Sequence, residues 1–272
     1  MLHAGFVKWV EASGMRAVPI QFNSDQTTLA SLFTYVNGVL FMGGATDIIT
    51  SDTPYYRAAE YLYKLTLQAN QQGDYIPMWG TCLGFELLAI ITSQNFSLMG
   101  DINFASDNVS LPLDFTADAK TSRMFGQAPI DVVQKFATQN VTDNEHHNGV
   151  TPQEFIENPS LPAFYSVLST NEDLNGVKFI STMEGRDYPI YGVQWHPERT
   201  LFEWYIYQNT NHSMAAVECA QYVGRFFAGE ARKNCHHFPS QEQEYTSLIY
   251  NYSPVYTMQI TGGDYEQIYF FN

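Results

Sequence analysis

Apolar residues recur along the chain in two alternating periods. Over residues 4–13, Phe6, Val7, Val10 and Ala12 fall on one stripe at helical spacing, and Gly14 supplies a C-terminal stop. Residues 16–22 then read as a short strand, although Pro19 cannot donate to a ladder. A short helix is expected over 29–35. An apolar strand follows over 38–44, ending in the pair Gly43-Gly44. Residues 54–72 predict a long helix with Pro54 in its first turn, where a missing N–H costs nothing. A strand at 75–79 leads through Gly80-Thr81-Cys82-Leu83-Gly84 into a helix at 85–91. Residues 100–162 are polar and irregular and read as loops with short strands. Strands return at 163–169, 177–183 and 189–195. A helix over 214–232 carries Val217, Ala220, Val223, Phe226 and Phe227 on one side, and an aromatic-rich tail wraps the domain from Cys235. Alternation of strand and helix predicts an α/β domain, with a mostly parallel central sheet and helices on both faces.

Composition narrows the function classes. The 272 residues are 45% hydrophobic, 15% aromatic and only 15% charged, which excludes a disordered chain. Twenty-eight acids against 13 Lys+Arg give a formal charge of −15, which argues against a nucleic-acid partner. No apolar run is long enough for a membrane span. Three cysteines make no disulfide framework; Cys219 and Cys235 could pair in an oxidising compartment. No signal peptide opens the chain. Asn95, Asn108, Asn140, Asn211 and Asn251 nevertheless begin glycosylation sequons, which leans towards a secretory-pathway protein whose leader is absent from this chain.

Three segments carry candidate chemistry. Gly80-Thr81-Cys82-Leu83-Gly84 has a nucleophile between two glycines at a strand-to-helix junction. A sharp turn there lifts the thiol out of the sheet, and the glycines give clearance. The Leu83 N–H then opens a helix where an oxyanion would form, and the helix N-terminus favours a thiolate. A buried structural cysteine is the alternative reading. In the second segment, His196 follows an apolar strand, where α/β sheets place their active sites. Glu198, two residues on, is positioned to fix its tautomer. A solvated loop histidine is the alternative. The third segment, Gly43-Gly44, offers close backbone approach and a second oxyanion N–H, or a plain turn. A nucleophile and a base on separate strand ends make the generalised triad arrangement. No metal-type His/Cys spacing is present, and no cofactor is expected.

These residues resemble the class I glutamine amidotransferase-like superfamily, and within it the γ-glutamyl hydrolases (folylpoly-γ-glutamate hydrolases). Phe41-Met42-Gly43-Gly44, Trp79 to Glu86, and Phe179-Ile180-Ser181-Thr182-Met183-Glu184-Gly185 carry the likeness. So do Tyr188 to Glu198 and Glu230-Ala231-Arg232-Lys233-Asn234, the two most specific stretches. The likeness runs from about residue 4 to the end. It implies an amidotransferase-like (flavodoxin-like) fold, a single domain, and hydrolysis of γ-glutamyl bonds of poly-γ-glutamates. By position, Cys82 resembles the nucleophile, His196 the general base and Glu198 the third triad member. Leu83 and Gly43 or Gly44 resemble the oxyanion donors, and His146 a histidine near the substrate, with His147 as the other register. The expected partner is a small poly-γ-glutamylated folate, in a lysosome, a vacuole or the extracellular space. A homodimer is left open. Such a substrate is polyanionic and the chain is acidic, so a local cation must meet it. Arg199, beside the His-Pro-Glu stretch, is the candidate, with a surface arginine as the alternative.

Departures are Phe6, where the family's first helix commonly has Tyr, and Glu86, where amidotransferases usually carry Gln. The chain also starts inside the family's first helix. The first core strand is therefore expected to be missing, which would expose apolar surface and an unpaired strand edge. An amidotransferase and a catalytically degenerate module of the same fold are the competing readings.

Overall fold

The computed structural model describes residues 1–48, 50–99, 103–259 and 265–271. Its strands are β1 (Leu2–His3), β2 (Val39–Phe41), β3 (Met78–Thr81), β4 (Ser106–Leu111), β5 (Asp114–Phe115), β6 (Thr142–His146), β7 (Tyr165–Glu172), β8 (Lys178–Gly185), β9 (Ile190–Val193), β10 (Val255–Tyr256) and β11 (Gln267–Tyr269). The helices are α1 (Ala4–Ala12), α2 (Gln26–Phe33), α3 (Pro54–Gln71), α4 (Leu83–Ser93), α5 (Ile130–Thr138), α6 (Pro152–Glu157), α7 (Ser160–Phe164), α8 (Arg199–Phe202), α9 (Met214–Ala231) and α10 (Gln241–Ser247). Side chains start several of them. Thr53 accepts from the Tyr56 N–H with Pro54 in the first turn of α3, and Thr151 and Glu154 close a capping box on α6.

The central sheet runs β2-β3-β9-β8-β7-β5. It is parallel only across β2, β3 and β9, and antiparallel from β9 through β8 and β7 to β5. The expectation of a mostly parallel sheet therefore narrows to the half that carries the candidate site. The reason is loop length. A tight turn joins β7 to β8, in which Asp173 Oδ1 accepts from the Asn175 and Val177 N–H groups and Gly176 takes φ +79°. The link from β8 to β9 is equally short. A parallel crossover needs a dozen or more residues.

Apolar cores cover both faces. On one face Leu29, Leu62, Phe85, Leu88 and Ile180 join α2, α3 and α4 to the sheet. On the other, Trp9, Trp79, Trp195, Phe136 and Phe227 join α1, α5 and α9. Helices α1 and α9 approach closely because Gly224 has no side chain: a Cβ there would lie 2.2 Å from Ser13 Oγ. Trp9 Nε1 donates to the Ala220 carbonyl across the same contact. The Glu230–Asn234 stretch fastens the end of α9: Glu230 accepts from the Tyr191 hydroxyl, and Asn234 Nδ2 donates to the Tyr75 carbonyl. Cys219 is buried, Cys235 is exposed, and both are free thiols.

Two sequence expectations change. Residues 16–22 form no strand. They line a cavity of about 1370 Å³ that also meets Leu40 and Phe41 of β2, Phe6 and Val10 of α1, and Leu62 of α3. β2 is an edge of the central sheet, so its outer side adjoins this cavity rather than another strand. Within the polar stretch 100–162, the described residues from 103 onward are more ordered than its composition suggests. It contains α5, with Val132 and Phe136 buried, and the two-stranded β4–β6 sheet. Among the described residues, no helix is long and apolar enough to cross a membrane.

Candidate active site

The local sequence forces a sharp elbow at Cys82. β3 ends at Thr81 and α4 begins at Leu83, so one residue makes the turn, and Cys82 takes φ +51°, ψ −110°. That left-handed region costs a non-glycine residue about 1–3 kcal/mol and persists only where the surroundings hold it. The surroundings do so. The Cys82 N–H donates to the Val193 carbonyl at 2.8 Å. A Cβ on Gly80 would lie 2.5 Å from the Gly84 carbonyl oxygen, and one on Gly84 would lie 2.1 Å from that of Phe41. Both positions therefore require glycine, as the sequence pattern implied. Leu83 is the first residue of α4, so its N–H is one of those the helix leaves free.

His196 follows β9 and is 3% exposed. Its N–H donates to the Asp143 carbonyl on β6, which fixes the backbone. Its Nδ1 lies 2.6 Å from Glu198 Oε1. The pairing sets the tautomer and turns the Nε2 edge towards Cys82 and Gly43. Burial alone would lower the imidazole pKa; the Glu198 carboxylate and the Cys82 sulfur outweigh it and hold it well above the ordinary histidine value. The imidazolium is thus stabilised beside the thiol. A Cβ on Gly43 would lie 2.6 Å from His196 Cε1 and 3.3 Å from Cys82 Cβ, and Gly44 faces Leu83. Cys82, His196, Glu198, Leu83, Gly43 and Gly44 therefore converge at the carboxyl ends of β2, β3 and β9.

A prediction arises here. Gly43→Ala pushes the imidazole off its line to Cys82, and displacements of about 1 Å cost on the order of 10²-fold in rate. Activity is expected to fall by that factor while the far-ultraviolet circular dichroism spectrum is unchanged. A variant within twofold of the parent would show that the ring has room to move.

Residues 1–198 match the family model described as Peptidase C26. The chain belongs to the peptidase C26 family. Gamma-glutamyl hydrolase B of Dictyostelium discoideum is 40% identical over 271 residues, spanning 100% of this chain and 77% of that protein. Gamma-glutamyl hydrolase of Homo sapiens is 41% identical, over 99% of this chain and 82% of the relative. Gamma-glutamyl hydrolase 1 of Arabidopsis thaliana is 34% identical, over 98% and 75%. A solved Thermoplasma acidophilum protein, described as one subunit of a GMP synthase, shares the fold with a TM-score of 0.50 at 14% identity. The match covers 84% of this chain and 87% of the other. The amidotransferase-like fold is thereby shown.

Two further residues of this C26 chain were expected near substrate. His146 ends β6 and is 4% exposed. Its Nδ1 sits 2.7 Å from the Asn148 carbonyl, and its ring meets Phe179 edge-on. Burial lowers its pKa to about 3, so it is a neutral imidazole, with an Nε2 that lacks a hydrogen-bond partner. Its neighbour His147 points outward to Asp107. Arg199 is not the surface arginine of the alternative reading: it is 4% exposed, 3.5 Å from Glu145 Oε1, and stacked on the Tyr265 ring. Glu86 is buried beneath the site, accepts from Gln194 Nε2, and is raised by burial to about 7. Sequence reasoning did not single out Asp143, Glu145 or Tyr265, all of which border the site. Asp143 and Glu145 lie in a polar strand without hydrophobic alternation, and Tyr265 arrives from the distant tail.

Proposed function

We propose that the chain hydrolyses γ-glutamyl bonds of folyl and related poly-γ-glutamates through a Cys82 thioester. The observation that carries this reading is the buried Cys82–His196–Glu198 arrangement, in a chain about 40% identical to curated γ-glutamyl hydrolases. In the first half-reaction the Cys82 thiolate attacks the γ-carbonyl carbon. The oxygen takes the charge against the N–H of Leu83 and that of Gly43 or Gly44; one such donor contributes about 3–4 kcal/mol. The tetrahedral adduct collapses with C–N cleavage, and His196 Nε2 gives its proton to the leaving amine. In the second half, water attacks the thioester and returns a proton to His196, and the thiolate departs. Glu198 keeps the imidazole in register throughout. His146, neutral and unpartnered at Nε2, is positioned for a polar group of the substrate. The reading extends to location: a lysosome, a vacuole or the extracellular space, supported by exposed sequon asparagines at Asn140 and Asn251.

The test is incubation with pteroyl-tri-γ-glutamate and, separately, with free glutamine. Shortened pteroylglutamates are expected from the first and no faster ammonia release from the second. Ammonia from glutamine with the tripeptide intact would replace this reading by a glutaminase.

A further inference from the structure

β6 is the wall that both catalytic residues lean on: its Asp143 carbonyl accepts from the His196 N–H, and its Glu145 carbonyl lies 3.8 Å from Cys82 Sγ. The side chains of the same two residues are acids. Asp143 is 1% exposed, and neither of its oxygens makes a well-formed hydrogen bond. Glu145 Oε1 is likewise without one and faces Arg199 Nη1. Arg199 directly follows Glu198, and its Nε and Nη1 also lack hydrogen-bond partners. A buried carboxylate is costly unless an opposite charge stands near it. Here one guanidinium serves two acids on β6, and its backbone neighbour is the third acid, which orients the catalytic ring.

The other ionisable groups around Arg199 add little positive charge. His3 of β1, held neutral by burial and by Arg199 itself with a pKa of about 3, stacks on Tyr265 of the tail. Glu203, past the end of α8, is raised by burial to about 7. Asp143 and Glu145 stay raised, chiefly by burial, with Arg199 and His196 pulling only partly the other way. His146 lies on β6 with its ring neutral. The pocket therefore has an excess of acid, and Arg199 is the one permanent cation among these residues.

We propose that Arg199 is a positioning residue: it cancels the charge of Asp143 and Glu145 and ties β6 to the catalytic turn, so that Glu198 stays turned to His196. It acts through Glu198 and His196 and does not touch substrate. The role rests on the active-site reading above, but it can be measured without substrate. Iodoacetamide alkylation of Cys82 against pH, in a Cys235→Ser background, reports the field at the site even if the proposed activity fails. Peptide hydrolysis is measured beside it.

With Arg199→Met, the two acids are left uncancelled near His196, the partner of the thiol. The alkylation midpoint is expected to rise by roughly one pH unit, because added negative charge near the pair disfavours the thiolate. In hydrolysis, kcat falls and KM is nearly unchanged. Arg199→Lys keeps the parent midpoint. The triple variant Arg199→Met/Asp143→Asn/Glu145→Gln returns the midpoint and most of kcat. Asp143→Asn/Glu145→Gln with Arg199 retained moves the midpoint the other way, downward, and gives the reading if Arg199→Met folds poorly. An unmoved midpoint in Arg199→Met or, where that variant folds poorly, in Asp143→Asn/Glu145→Gln overturns the proposal. So does a raised KM at constant kcat that the triple variant fails to repair, which would return Arg199 to the substrate.

Discussion

Cys82→Ala is expected to be without measurable γ-glutamyl hydrolysis, a loss on the order of 10⁴-fold or more, since removal of a nucleophile leaves only binding and oxyanion stabilisation. The folded state should tolerate it. The side chain is small, and the turn is held by the Val193 carbonyl and by the close packing at Gly80 and Gly84. Cys82→Gly should be equally inactive yet melt no lower than Cys82→Ala. Glycine accepts φ +51° without the strain of about 1–3 kcal/mol, against an entropic cost of about 0.5–1 kcal/mol. Thermal melts and a product assay on the two variants check both statements. Hydrolysis within tenfold of the parent would place the nucleophile elsewhere and turn attention to the other thiols, Cys219 and Cys235.

Glu198→Gln should cost about 10²–10⁴-fold in kcat, because the amide can present its NH₂ to Nδ1 and favour the wrong tautomer. The pH profile gives a separate sign. The carboxylate is the largest influence holding the His196 pKa up against burial. Without it the imidazolium loses its proton at lower pH. The alkaline limb of kcat/KM, where the leaving amine lacks a proton donor, therefore moves to lower pH. An alkaline limb that stays in place would mean that Glu198 orients the ring without stabilising its charge.

The sequence revealed the parts of the site that are local. Gly80, Cys82 and Gly84 are consecutive demands of a single turn, and His196 and Glu198 are two residues apart, so both readings survive without knowledge of the fold. The apolar strands β3, β8 and β9 were legible for the same reason: they are buried, and their composition says so. Residues 16–22 failed because a strand exists only with a partner, and no property of the segment itself reveals one. α5 was missed because Ile130 at its start is exposed and only Val132 and Phe136 face inward. β6 was missed because Thr142, Asn144 and His146 bury polar groups where a strand pattern looks for apolar ones. The burial of Arg199 was hidden for the same reason. Its place next to the His-Pro-Glu stretch gave no direction, and the acids that claim it lie on a strand that the pattern did not show.

The elbow at Cys82 is braced against an edge strand of the sheet. Gly84 sits directly over the Phe41 carbonyl, and Gly43, two residues further on, faces the His196 ring. Yet β2 is joined to the sheet along one side, through β3, with the large cavity on the other. Backbone at such an edge opens at lower free energy than the centre of the same sheet. When β2 frays, the clamp on the thiol and the clearance around the imidazole relax together, while β8 and β9 remain paired. Warming should therefore silence this chain before it melts. Amide exchange at Val39–Phe41 should keep pace with the loss of Cys82 reactivity rather than with the collapse of the core.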